Sequence, residues 1–237
     1  MEVHHHGHVH EKKKWKEYLF QFLILFLAVT LGFLVENKRE HYIEQQREKQ
    51  FIRSLVNDII ADTTKINNII NRRTVRISNL DSLNLLMNSN SRANYANDLY
   101  YITATATRLF SIRFLPNDGT MQQLKNSGAF RLIRNRLIAD SIAKYDVSVR
   151  NILLLGELEE KMAEDYRQAA SKIFNALIFD QMMDADINVR RLEYLPALLT
   201  YDKGDLYDWN YKIFSLKSIN KANRREIRLL LKQLKIF

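Results

Sequence analysis

Cysteine is absent from all 237 residues, and with it go disulfides, thiolate metal sites, CxxC redox chemistry and cysteine nucleophiles. Histidine is confined almost entirely to one end: five of the six stand at positions 4, 5, 6, 8 and 10, and the sixth is His41. General acid–base catalysis by histidine is therefore excluded from everything beyond His41. Glycine (6) and proline (2) are scarce as well. These residues punctuate turns, so a chain with so few is built of long uninterrupted elements, and long helices fit best. No GxGxxG, P-loop, GxSxG or HExxH pattern occurs, which leaves nucleotide binding, serine-hydrolase chemistry and zinc-protease chemistry without support.

One stretch does lack charge altogether. Residues 18–35, YLFQFLILFLAVTLGFLV, have Gln21 and Thr30 as their polar side chains. At ~1.5 Å per residue they reach roughly 27 Å, close to the hydrocarbon thickness a spanning helix must match. Trp15 and Tyr18 flank one edge and Tyr42 the other, where interfacial aromatics belong. A cleaved signal peptide is disfavoured, because Glu36, Asn37, Lys38 and Arg39 follow in place of a small-residue cleavage site. A core helix of a soluble domain seldom stays apolar on every face for this length. The expectation is a tail at 1–17, a transmembrane helix at 18–35 and a helical soluble domain at 36–237. Lys12, Lys13, Lys14 and Lys16 cluster together at the edge of the span, whereas on the other side Lys38 and Arg39 stand close and Arg47 and Lys49 lie well beyond. That asymmetry places the tail in the cytoplasm and the domain outside it.

The fold class expected is all-α, with the transmembrane helix continuing into a long stalk (36–88) and then a helical bundle. Along the stalk, Ile52, Val56, Ile59, Thr63, Ile66, Ile70, Arg73, Ile77 and Leu80 recur at steps of four and three, a seam on one face suited to another helix. Phe51, Leu55 and Ile69 widen it, so an intrachain bundle and a two-chain coiled coil both fit. A break at 88–94 leads to a helix at about 95–112. LPNDGT (115–120) is a turn, since Pro presets φ and Asn-Asp-Gly tolerates left-handed geometry. A short helix at 120–126 follows, capped by Ser127-Gly128. Residues 136–183 are again helical in pattern, with Gly156 and the acids Glu157, Glu159, Glu160 and Glu164 marking a bend at the middle. Loops are expected around Pro196 and Lys203-Gly204, then two closing helices. The last carries Ile227, Leu230, Leu231 and Leu234 on one face and Lys221, Arg225, Arg228, Lys232 and Lys235 on another.

The opening EVHHH, the span with its exit FLAVTLGFLVENKREH, and the segment FLPNDGTMQQLKNSGAFRLIRNRLIADSIAKYD together resemble an uncharacterised group of bacterial single-pass inner-membrane proteins. Members share one N-terminal span and a helical extracytoplasmic domain with a Thr…Leu-x-x-Ser-Gly core, here Thr120, Leu124, Ser127 and Gly128. The likeness covers the first third and the middle of the chain. It implies topology and a bacterial envelope, and attaches no activity or catalytic residue.

Four features bear on function. His4, His5, His6, His8 and His10 can gather on Ni²⁺, Cu²⁺ or Zn²⁺, because imidazole suits these metals and a flexible chain can bring several donors together. Apart from such a weakly bound divalent transition metal, no cofactor is implied. Asp58 with Asp62, and Asp180 with Asp184 and Asp186, have helical spacing, and without convergent partners they read as solvated faces. The LPNDGT segment reads as turn structure. The basic face of the last helix suits anionic lipid, a negatively charged partner or plain solvent; nucleic acid is a poor fit to an exported, tethered domain. The combined reading is a non-enzymatic membrane-anchored envelope protein whose partners are the lipid bilayer and a protein or a second copy of itself. The alternative is a metal-responsive membrane protein that uses its His tail. Replacing the five tail histidines with Ser is expected to abolish Ni²⁺ and Zn²⁺ binding by the intact protein and leave its melting temperature unchanged. Calorimetric titration checks this, and undiminished stoichiometric binding would put the metal site elsewhere.

Overall fold

A computed structural model describes residues 15–90, 92–108, 112–175, 177–179 and 202–234 of the chain. Among them every regular element is helical: α1 (Trp15–Met87), α2 (Ala96–Arg108), α3 (Gly119–Asn126), α4 (Arg136–Ser171) and α5 (Lys203–Leu234), with 3₁₀ turns at Arg92–Tyr95 and Ala129–Leu132. This is the all-α class that scarce Gly and Pro predict. The chain divides into two compact units, 1–52 and 53–237.

In the first unit, α1 is long and apolar enough to cross a membrane, and none of its apolar window is buried. Side chains such as Phe20, Leu25 and Phe33 stand exposed around the whole helix. A helix of a soluble core would have buried them.

In the second unit, three long helices pack side by side. Ser148 Oγ donates to Gln233 Oε1 at 3.1 Å, and Lys212 and Lys172 pair with Asp165 and Asp205 at 3.7 and 3.5 Å, so α4 and α5 run antiparallel. Lys217 pairs with Asp81, and Arg224 Nη1 donates to Thr74 Oγ1 at 3.2 Å, which sets α5 antiparallel to α1 too. The core between them is aliphatic with an aromatic end. There Phe174 meets Tyr100 edge-on at 4.9 Å and Trp209 at 5.2 Å, and all three rings are buried. Offset and edge-on ring pairs of this kind add ~0.5–1.5 kcal/mol to the burial itself.

Several boundaries differ from expectation. α2 ends at Arg108, and Ile112–Phe114 are non-helical with Ile112 and Phe114 buried. α4 runs through Gly156 without a break and stops at Ser171. A helical Gly costs only about 1 kcal/mol against Ala, which packing on both sides of it can offset. Lys203 and Gly204 open α5 instead of forming a loop, because Asp202 Oδ1 accepts the Gly204 N–H at 2.7 Å and caps the helix. With no Gly or Pro after it, α5 is one helix where two were expected. Pro196 lies outside the described residues. At the end of α3, Gly128 adopts φ +64°, the left-handed position that ends a helix and that only Gly takes without strain.

The seam of α1 is placed differently from its apolar count. Ile66, Arg73, Ile77 and Leu80 are buried, and Ile52, Ile59, Thr63 and Ile70 partly so, but Val56 is 46% exposed. Burial passes through Leu55, Asp62 and Ile69 instead, one position round from Val56, Thr63 and Ile70. The shift follows from Asp62, whose partners lie on the inner side of the helix and pull that face inward. Ile66→Ala and Leu80→Ala are each expected to cost ~2–5 kcal/mol, and Val56→Ala under ~0.5 kcal/mol. Urea unfolding of the three variants decides this: equal midpoints for Ile66→Ala and Val56→Ala would refute the packing described.

Candidate functional site

A buried charge persists only where partners replace its lost hydration. At mid-height of the three helices Glu159 of α4 is 5% exposed, with Arg73 and Arg76 of α1 and Asn220 and Asn223 of α5 buried around it. Arg73 Nη1 donates to Glu159 Oε2, and Arg76 Nη1 donates to Oε1 at 2.7 Å. Asn223 Nδ2 adds a further donor to Oε2 at 2.9 Å. Arg73 also donates to Asn220 Oδ1 at 3.2 Å and to the Ile112 carbonyl at 2.7 Å. Burial pulls both guanidinium pKa values below the usual arginine range, opposed by the Glu159 carboxylate. The spacing that assembles this is local: Arg73 and Arg76 are three apart on one helix, Asn220 and Asn223 three apart on another, so each pair shares a face.

Both oxygens of Glu159 already hold donors. The group clamps α1, α4 and α5 together and, through Arg73, reaches the Ile112 carbonyl.

A second polar knot lies nearer the start of α4. Asp62, fully buried, accepts from the backbone N–H of Asn117 with both oxygens, at 2.9 and 3.1 Å, and from the Tyr145 hydroxyl at 2.9 Å. Burial and the neighbouring Asp62 push the Tyr145 phenol up, so it stays a donor. Lys65 Nζ holds the Leu115 carbonyl and Asn117 Oδ1 at 2.9 and 2.8 Å. The LPNDGT turn is thus strapped to α1. Asp62 is not on the solvated face that its helical spacing indicated, and of Glu157, Glu159, Glu160 and Glu164 it is Glu159 that is buried. The hint in the sequence is that Arg73 is the charged residue within a seam otherwise made of aliphatic residues and Thr63.

The outer face of α5 is where the basic residues stand. Lys221, Arg225, Arg228 and Lys232 are exposed, opposite the buried Ile227, Leu230 and Leu234. Lys235, the histidines at 4, 5, 6, 8 and 10, and Asp180, Asp184 and Asp186 lie outside the described residues. Among the described residues no three His, Cys, Asp or Glu side chains converge as metal ligands.

No known protein family, curated protein or solved structure matches the chain. Glu159→Ala is expected to cost ~3–5 kcal/mol, since it leaves two guanidiniums buried without their anion. Replacing the triad together, Arg73→Met with Arg76→Met and Glu159→Leu, should recover most of that loss, as apolar substitutes remove the desolvation cost. Guanidinium unfolding measures both, and a triple variant no more stable than the single one would disprove the clamp.

Proposed function

We propose that the chain is a single-pass protein of a bacterial inner membrane, with its tail cytoplasmic and its helical domain periplasmic, acting through protein contacts and not as an enzyme. Scaffold, accessory subunit and sensor-like module are the roles this covers. The observation that carries it is the distribution of polar chemistry in the second unit. The Glu159 and Asp62 carboxylates are held by donors inside, whereas Lys221, Arg225, Arg228 and Lys232, which have no ion-pair partner among the described residues, and large apolar side chains occupy outward helix faces. Interior carboxylates held in this way stabilise a scaffold, and mixed apolar and charged outer faces suit recognition. The exposed, all-round apolar run of α1 supports the anchor, and the four lysines before the span, Lys12, Lys13, Lys14 and Lys16, support the orientation. The metal-responsive alternative rests on His4, His5, His6, His8 and His10 alone.

Two measurements test the proposal. An alkaline phosphatase fused after Phe237 should be active and a fluorescent protein at the same position dark; the reverse pattern overturns the orientation. Gentle extraction of the tagged chain from native membranes should bring with it a stoichiometric protein partner or a second copy. Recovery of a bare monomer would count against the contact role.

A further inference from the structure

We propose that the outward face of α5 docks a helical segment of a partner protein, apolar at one end and acidic at the other. The inference rests on the contact role above and specifies its partner. Tyr207, Tyr211 and Phe214 are 77%, 57% and 65% exposed, and they follow one another at steps of four and three. The same stripe continues through Ser218 to Lys221, Arg225, Arg228 and Lys232, all exposed. Trp209, Ile213, Leu216, Ile227 and Leu230 make the opposite, buried stripe, so the aromatics are not needed by the core of their own unit. The stripe from Tyr207 to Lys232 is straight over about 37 Å of helix.

One neighbouring helix adds to the apolar end. The antiparallel register set by Lys217 with Asp81 and by Arg224 with Thr74 places Leu85 of α1 at the level of Ile213 and Phe214. Leu85 is 73% exposed and widens the apolar end. The cations divide in a telling way. On the flanks of α5, Lys212 and Lys217 are paired with Asp165 and Asp81. On the outward stripe, Lys221, Arg225, Arg228 and Lys232 have no ion-pair partner among the described residues. A row of cations at steps of four, three and four matches carboxylates at the same steps on a second helix, and Tyr, Phe and Arg are the side chains that interfaces favour. A bilayer is the weaker fit. A helix lying on lipid offers an apolar face along its whole length, whereas here the apolar and cationic residues are segregated end to end.

The test uses the full-length protein in phosphatidylcholine nanodiscs and a fluorescent synthetic helix. The probe has Leu facing one half and Glu at i, i+4, i+7 and i+11 facing the other; a control probe has Gln in place of Glu. Anisotropy should show binding of the Glu probe, at least roughly tenfold weaker for the Gln probe and for Arg225→Glu with Arg228→Glu. Tyr211→Ser with Phe214→Ser should weaken it by roughly tenfold at low and high salt alike, as loss of apolar anchors does. All these side chains are exposed, and unchanged melting curves verify that the variants fold. Equal affinity for the two probes, or parental binding by either double variant, overturns the docking face. So does a result in which vesicles containing phosphatidylglycerol bind the protein through Arg225 and Arg228 and the Glu probe does not. In native membranes, a partner that co-purifies undiminished with both double variants defeats this face and leaves the contact role standing. A parent protein that brings down no partner defeats both.

Discussion

The alignment of the helices in the second unit depends on one carboxylate. Glu159 is buried between Arg73 and Arg76, with Asn223 on its remaining side and Asn220 bracing Arg73. Buried ion pairs contribute little net stability, because desolvating the charges costs about what their attraction returns. What they do impose is register. Sliding α1, α4 or α5 by one residue relative to the others would leave a guanidinium or a carboxylate buried alone, at several kcal/mol. The aliphatic layers on either side tolerate small shifts far better. The apolar core therefore holds the helices together, and the Glu159 cluster decides how they are aligned.

That alignment fixes the rest of the second unit. It turns Arg73 toward the Ile112 carbonyl, anchoring the chain as it enters the Ile112–Asp118 segment, while one helical turn after another brings Asp62 and Lys65 to the other end of that segment. It also determines which stripe of α5 is left facing outward. With the Glu159 and Asp62 carboxylates held by interior donors, the proposed recognition falls to the outer faces, and in the proposed membrane protein a partner in the same bilayer would meet them at high effective concentration. Modest affinity for the α5 face is then sufficient for a stable complex.

Much of this was legible residue by residue. The long helices follow from the near-absence of Gly and Pro, the LPNDGT turn and the Gly128 cap follow from the φ values those residues accept, and the two faces of the last helix follow from a 3.6-residue period. The clamp was not. Acids at helical spacing are usually solvated, and nothing local distinguishes Asp62 or Glu159 from an acid that is. Their partners are distant in sequence: Arg73 lies 86 residues from Glu159 and 147 from Asn220. The start of α5 was missed for a related reason, since Gly204 reads as a breaker until Asp202 is seen to cap it.

Composition and periodicity by themselves determined that this chain is helical, that residues 18–35 are apolar on every side, and that its last helix has one apolar and one cationic face, because these are properties of a single segment in its own frame. Only the tertiary structure decided which charges are buried, which neighbour each helix presents its faces to, and that Tyr207, Tyr211 and Phe214 stay outside the core. Those outcomes turn on whether a partner arrives from elsewhere in the chain to replace water, and a segment read alone carries no record of it.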